Sequence, residues 1–227
     1  MIRLGVVTGM RSEADCLAQD RSPPLLFCAG ASAERAYRGA LSLAEQGATH
    51  LVSFGIAGGL DPDRLPGDLI LPDAVIDGDG RGYTTDAALN GALAAILHPA
   101  TTAPLYGSPT VVAGYADKTA LHRKFGCVAV DMESHAVAAA AAERRLPFIV
   151  VRVMADHAAR PFPRAVQGSL TPDGRQRGGL VAARLLLRPW ELPAVIGLGR
   201  DYRVAMRVLG GVAAPALLGL ARRGMGI

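Results

Sequence analysis

Short β-branched runs that alternate with stretches of helical spacing constrain this chain more than any other feature. Residues 2–8, 25–28, 50–54, 69–76, 127–130 and 148–154 read as strands, and residues 11–20, 33–44 and 133–145 read as helices between them. Gly47 follows the last apolar position of the second helix as a C′ residue, and Pro147 ends the third. Strand–helix alternation of this kind builds βα units around a parallel or mixed sheet, so the fold class is α/β. Pro161, Pro163 and Pro172 mark a loop, and from residue 179 onward the pattern is helical only.

Half of the 227 residues are hydrophobic, enough for a sizeable core without metal or disulfide support. Cys16, Cys28 and Cys127 are odd in number and form no C-x-x-C pair, which argues against a disulfide framework or zinc site and for a reducing cytoplasm. Residues 1–10 show no secretory signal, and no run reaches the ~18 to 20 uninterrupted apolar residues of a spanning helix. Nine arginines from Arg175 onward face only Glu191 and Asp201, but no stacking aromatics interleave them, so a nucleic-acid partner is not expected.

Three segments can carry chemistry. Gly55-Ile56-Ala57-Gly58-Gly59 follows a strand and reads as a glycine turn; it either brings backbone N–H groups close to a ligand or simply relieves a tight connection. Asp131-Met132-Glu133-Ser134 stands where a strand meets a helix. A carboxylate there can accept from two vicinal ribose hydroxyls, or the segment can serve only as a helix cap. Asp156 and His157 end the apolar run that contains Arg152, and a partly desolvated aspartate at a strand's C-terminal end can deliver a proton. The alternative is a solvated aspartate that opens a loop.

Taken in order, Gly55-Ile56-Ala57-Gly58-Gly59-Leu60, Val130-Asp131-Met132-Glu133-Ser134 and Val151-Arg152-Val153-Met154-Ala155-Asp156 resemble the methylthioadenosine/S-adenosylhomocysteine nucleosidases and their nucleoside phosphorylase relatives. Gly9-Met10-Arg11-Ser12-Glu13 is similar to that family's first strand–helix turn. Ser53 to Pro62, Val130 to Val137 and the tail with Pro172-Asp173-Gly174-Arg175 and Leu186-Leu187-Arg188-Pro189 look like its hopanoid-associated branch, which is taken to remove adenine from adenosylhopane.

The resemblance implies a three-layer αβα catalytic domain with a mixed central sheet over 1–175, a helical C-terminal extension over 176–227, and a homodimer. It implies that Asp156 protonates adenine N7 and that Glu13 sits beside the nucleophile. By the same resemblance Glu133 grips the ribose hydroxyls, Met132 packs under the sugar, and Gly55, Ile56, Ala57 and Gly58 shape the floor of the site. Val111 and Val112 fall near the family's base-binding strand, and Tyr115 offers an aromatic face. No metal or organic cofactor is implied, and the nucleophile is phosphate or water. Ile56 stands where relatives carry a hydroxyl residue and Ser53 where some phosphorylases carry an arginine, which favours water. Arg11, Arg35 and Arg160 keep a phosphate co-substrate open. The alternative substrates are methylthioadenosine and adenosylhomocysteine. Residues 208–221, apolar and flanked by arginines, are expected as two short helices split by Pro215. They lie on the headgroups of the inner membrane face, against the α/β body or in the dimer interface.

Overall fold

The computed structural model describes residues 2–223. Its axis is β3 (His50–Gly59), a ten-residue strand in a mixed sheet. On one side β3 runs parallel to β10 (Phe148–Asp156), in register from Leu51 opposite Phe148 to Gly58 opposite Asp156. On the other side it is paired twice. Residues His50 to Ser53 run parallel to β1 (Leu4–Thr8), whereas Gly58 and Gly59 pair antiparallel with β9 (Ala129–Asp131). Residues 54–57 therefore have one edge with no strand beside it, and this gap positions the site. Beyond β1 lies β2 (Leu25–Cys28); beyond β9 lie β8 (Leu105–Gly107), β5 (Ala74–Ile76) and β6 (Gly82–Thr84); beyond β10 lie β4 (Leu69–Ile70) and β7 (Ala100–Thr101).

Helices cover both faces. On one, α2 (Ala33–Glu45) and α5 (Ser134–Arg144) set Ala36, Ala40, Ala136 and Val137 against Val7, Leu51 and Val150. Alanines at these contacts let the helices lie close to the sheet. On the other face are α1 (Arg11–Ala18), α3 (Ala87–Ile96), α7 (Leu192–Val208) and α8 (Ala214–Arg223). Leu17, Leu93, Leu209 and Leu217 there share one core with Val52, Phe54 and Val151. The three-layer arrangement matches the expected fold class.

Four expectations need correction. Residues 55–59 are not a turn but the continuation of β3. Their glycines answer to crowding: a Cβ on Gly59 would lie 2.6 Å from the Asp156 carbonyl oxygen. The strand expected over 69–76 breaks at Pro72, which cannot donate to a ladder, and its halves β4 and β5 sit on opposite sides of β3. Between residues 82 and 125 the chain forms β6, α3, β7, β8 and α4 (Tyr115–Phe125), which periodicity missed because those strands are only two or three residues long.

The tail differs most. One helical run spans Pro189–Arg222, 34 residues with mean hydropathy 1.7 in its most apolar window. A π turn at Leu209–Ala213 precedes Pro215; its wider hydrogen bonding accommodates the proline ring and missing N–H without breaking the helix. Leu209, Ala213, Ala214, Leu217 and Leu220 are buried in the core shared with the sheet. Segment 208–221 therefore packs on the α/β body, and only Gly211, Val212 and Pro215 within it are exposed. Residues 224–227, the end of the expected extension, lie outside the described residues.

Candidate active site

Where β1 ends, Gly9 and Met10 turn the chain into α1, and Glu13 in the first helical turn reaches back. Its Oε2 accepts the N–H groups of Gly9 at 2.9 Å and Met10 at 2.8 Å. Its Oε1 crosses the gap to accept the Ile56 N–H at 2.8 Å. The carboxylate thus satisfies a β3 donor that no strand can reach. Gly55 must be glycine for this, because a Cβ would run into the Glu13 carboxylate. Burial pushes the Glu13 pKa up, against the opposing pull of Arg152 and the three N–H donors.

Glu133, at the junction of β9 and α5, enters the same gap. A Cβ on Gly9 would lie 2.6 Å from its Oε1, so Glu13 and Glu133 flank Gly9. Burial, and then the neighbouring Asp131 charge, push the Glu133 pKa up to about 8, with Arg152 opposing. Met132 is half-buried beside it.

One cation serves these acids. Arg152, fully buried on β10, donates from Nε to Asp131 Oδ2 at 2.7 Å and from Nη2 to the same oxygen, to Ser53 Oγ at 2.8 Å and to Ser134 Oγ at 3.2 Å. Nη2 lies 3.6 Å from Glu133 Oε2. Burial alone disfavours the guanidinium charge, but Asp131, Glu133 and Glu13 outweigh it and raise the pKa of Arg152. Its Nη1 is buried and finds no hydrogen-bond partner among the described residues.

A second acidic centre lies farther along β3. Asp156 is buried, and its Oδ1 accepts the Gly59 N–H at 2.7 Å. Its Oδ2 accepts from Lys118 Nζ of α4 at 2.6 Å, and both side chains are almost wholly enclosed. Gly55, beside Glu13, and Gly58, beside Asp156, are three residues apart on one strand, roughly 10 Å. Two acidic centres at that spacing suit a ligand with a hydroxyl-rich end and a basic ring nitrogen at the other.

The sequence pattern of the phosphorylase superfamily matches residues 17–187. The chain belongs to that superfamily. Among named relatives, the 5′-methylthioadenosine/S-adenosylhomocysteine nucleosidases of Mycobacterium bovis and Mycobacterium tuberculosis are each 28% identical over 154 positions, covering 48% of this chain and 60% of theirs. The chain spans about 60% of the length of these curated relatives. Solved structures share the fold. The nucleosidase of the same name from Helicobacter pylori superposes with a TM-score of 0.72 at 14% identity over 98% of both chains. That from Neisseria meningitidis gives 0.72 at 16% identity, over 96% of this chain and 100% of that one. A Helicobacter pylori futalosine hydrolase gives 0.61 at 18% identity over 69% and 88%.

Within this superfamily fold, Glu13, Glu133, Met132, Gly55 and Ile56 gather at the gap, and Gly58 and Asp156 lie at the end of β3. Ala57 is buried in the core of the α2–α5 face. Val112 does not lie on a strand. It sits in the loop after β8 and packs on the small cluster of Leu60, Tyr106, Cys127 and Val130, while Val111 is exposed. Tyr115 is exposed at the start of α4. None of the three arginines that kept a phosphate site open points there. Arg11 pairs with Asp15, Arg35 donates to the Cys28 and Ala29 carbonyls, and Arg160 pairs with Asp201. Asp131 both caps α5, accepting the Ser134 N–H at 3.2 Å, and holds Arg152.

Arg152 and Lys118 had no assigned role from sequence. Arg152 carried a signal, since a lone arginine inside an apolar strand must find a buried anion. Lys118 carried none, because nothing in α4's pattern separates it from exposed Lys124. A cleft of about 610 Å³ lined by Gly114, Asp117, Phe162, Arg164 and Trp190 opens beside α4 rather than over the Glu13–Glu133 pair.

Proposed function

We propose that this protein cleaves the N-ribosidic bond of an adenosine derivative and releases adenine, with adenosylhopane as the substrate. The observation that carries the reading is the pair of acidic centres that flank β3, Glu13 with Glu133 at the gap and Asp156 beside Gly59. The Glu133 carboxylate accepts the vicinal ribose hydroxyls, Glu13 faces the attacking oxygen at C1′, and Asp156 faces N7 of the base. A purine leaves poorly as an anion, so protonation at N7 is worth roughly 10²- to 10⁴-fold. Positive charge that develops on the ribose is stabilised by the nearby acids.

Two features support an apolar substituent on the ribose. Leu186 and Leu187, at the end of α6 (Gly178–Leu187), are 85% and 78% exposed, and Trp190 is 71% exposed. Trp190 also lines the cleft beside α4, which gives a hydrocarbon tail or the membrane that holds it an apolar surface. Water is the nucleophile in this reading, since the three candidate arginines are engaged elsewhere and Ile56 has no hydroxyl.

The test is adenine release from adenosylhopane and from methylthioadenosine, each with and without phosphate, with mass analysis of the sugar. Preference for adenosylhopane and a free ribose product are expected. Preference for methylthioadenosine, the substrate in the relatives' name, overturns the lipid assignment, and a ribose 1-phosphate product overturns water.

A further inference from the structure

Both oxygens of the Asp156 carboxylate are occupied, one by the Gly59 N–H and the other by the Lys118 ammonium. Both oxygens therefore act as acceptors, and the second of them faces a donor that carries protons. Only Lys118 and Lys124 of the chain's 24 basic residues are lysines, and the other buried cation among the described residues, Arg152, is an arginine. Among the described residues, Asp156 is the buried acid whose cation is an ammonium, a group that can pass on a proton where a guanidinium does not.

The placement of Lys118 is built rather than incidental. It lies in the first turn of α4, 1% exposed, and its Nζ is also 3.3 Å from the Arg160 carbonyl oxygen in the loop after β10. That loop is tied to the start of α4 by the Phe162 N–H, which donates to the Ala113 carbonyl at 2.9 Å. Other ionisable groups on the surrounding elements are turned elsewhere. Arg160 pairs with Asp201 at 2.8 Å, His157 Nδ1 accepts the Ala159 N–H at 3.0 Å, and His122 Nδ1 is bonded to the Cys127 carbonyl at 2.8 Å. Lys124 lies over the Phe125 ring, Asp117 and Arg123 are exposed, and Asp131 is bound to Arg152. β3 bears no ionisable side chain from Leu51 to Gly59.

We propose that the proton taken up by the leaving purine is carried by the Lys118–Asp156 pair, with Lys118 as a positioning residue that supplies it through Asp156. The inference rests on the N-ribosidic reading above. As the C1′–N9 bond breaks, its electron pair moves into the purine, N7 takes a proton from Asp156 Oδ2, and Oδ2 takes one from Lys118 Nζ. Lysine is left as a neutral amine and is reprotonated from solvent after the base departs. At the other end, the water oxygen bonds to C1′ and its proton passes to Glu13.

The test compares pH profiles of adenine release for wild type, Lys118→Met and Lys118→Arg, with folding checked by near-UV circular dichroism. Wild type should hold its rate to higher pH than Lys118→Met, because its proton source is an ammonium rather than a carboxylic acid. Lys118→Met must rely on a protonated Asp156, so its rate should fall about tenfold per pH unit over at least two units below pH 9. Lys118→Arg keeps the ion pair but not the proton source, and should lose roughly 100-fold at every pH. A Lys118→Met rate lowered by one constant factor at all pH values, or a fully active Lys118→Arg, overturns the inference. Should Lys118→Met fail to fold, Lys118→Arg and the wild-type alkaline limb decide, and a wild-type limb below pH 7 counts against the pair. A wild-type protein that releases adenine from no adenosine derivative refutes the N-ribosidic reading itself.

Discussion

Glu133→Gln should make this protein more stable in alkali while damaging its activity. The wild-type carboxyl is raised from 4.5 to about 8, chiefly by burial. A raised pKa means that the folded protein holds this proton more tightly than the unfolded chain does. The resulting stability is fully present below pH 4.5 and is lost as pH climbs through 8. Each tenfold change in proton affinity is worth about 1.4 kcal/mol, so holding the charged carboxylate costs roughly 5 kcal/mol by pH 9, about 3 of it by pH 7. Glutamine keeps the shape and cannot ionise. Its stability advantage over wild type should therefore grow by roughly 4 kcal/mol between pH 5 and pH 9, about 1 kcal/mol having accrued already by pH 5. Glu13, raised by the same burial, contributes to both proteins and cancels to first order. Urea midpoints at pH 5, 7 and 9 measure the difference, with an unchanged denaturant slope as the control. A stability difference that stays constant across this range within about 1 kcal/mol would refute the burial argument. In the same protein adenine release should fall, and a 2′-deoxyribose substrate should lose less than the ribose form.

Gly55→Ala places a methyl where the Glu13 carboxylate lies, and should lower kcat on the order of 100-fold with the fold intact. A kcat near the wild-type value would show that the position of Glu13 does not matter. Arg152→Met leaves Asp131 buried without its cation and should cost about 3 to 5 kcal/mol in chemical denaturation; a negligible loss would mean that the cluster is not paired. Replacing Leu186, Leu187 and Trp190 together by serine should reduce sedimentation with anionic liposomes and leave release from a water-soluble adenosine unchanged. Equal sedimentation of the two proteins would remove the α6 ridge as a lipid contact.

Much of the fold is local and was legible. The apolar runs at 25–28 and 148–154, the left-handed Gly47 and the stop at Pro147 follow from side-chain periodicity and backbone permissiveness. Glu133 and Asp156 stood out as acids at a helix start and a strand end, while Glu13 entered only through the family resemblance. The partners of these acids were not legible. Glu13 meets Ile56 across 43 positions, Asp156 meets Lys118 across 38, and Arg152 meets Ser53 across 99. No local pattern encodes which donor reaches which acid; that follows from the split in the sheet, where β1 stops short of β9 and a side chain must replace a strand. The tail shows the same division. Composition made 208–221 apolar and helical, and both membrane and core accept such a segment. Only the sheet face left open by α1 and α3 decided between them, because burying Leu209, Leu217 and Leu220 there covers Val52, Phe54 and Val151 as well.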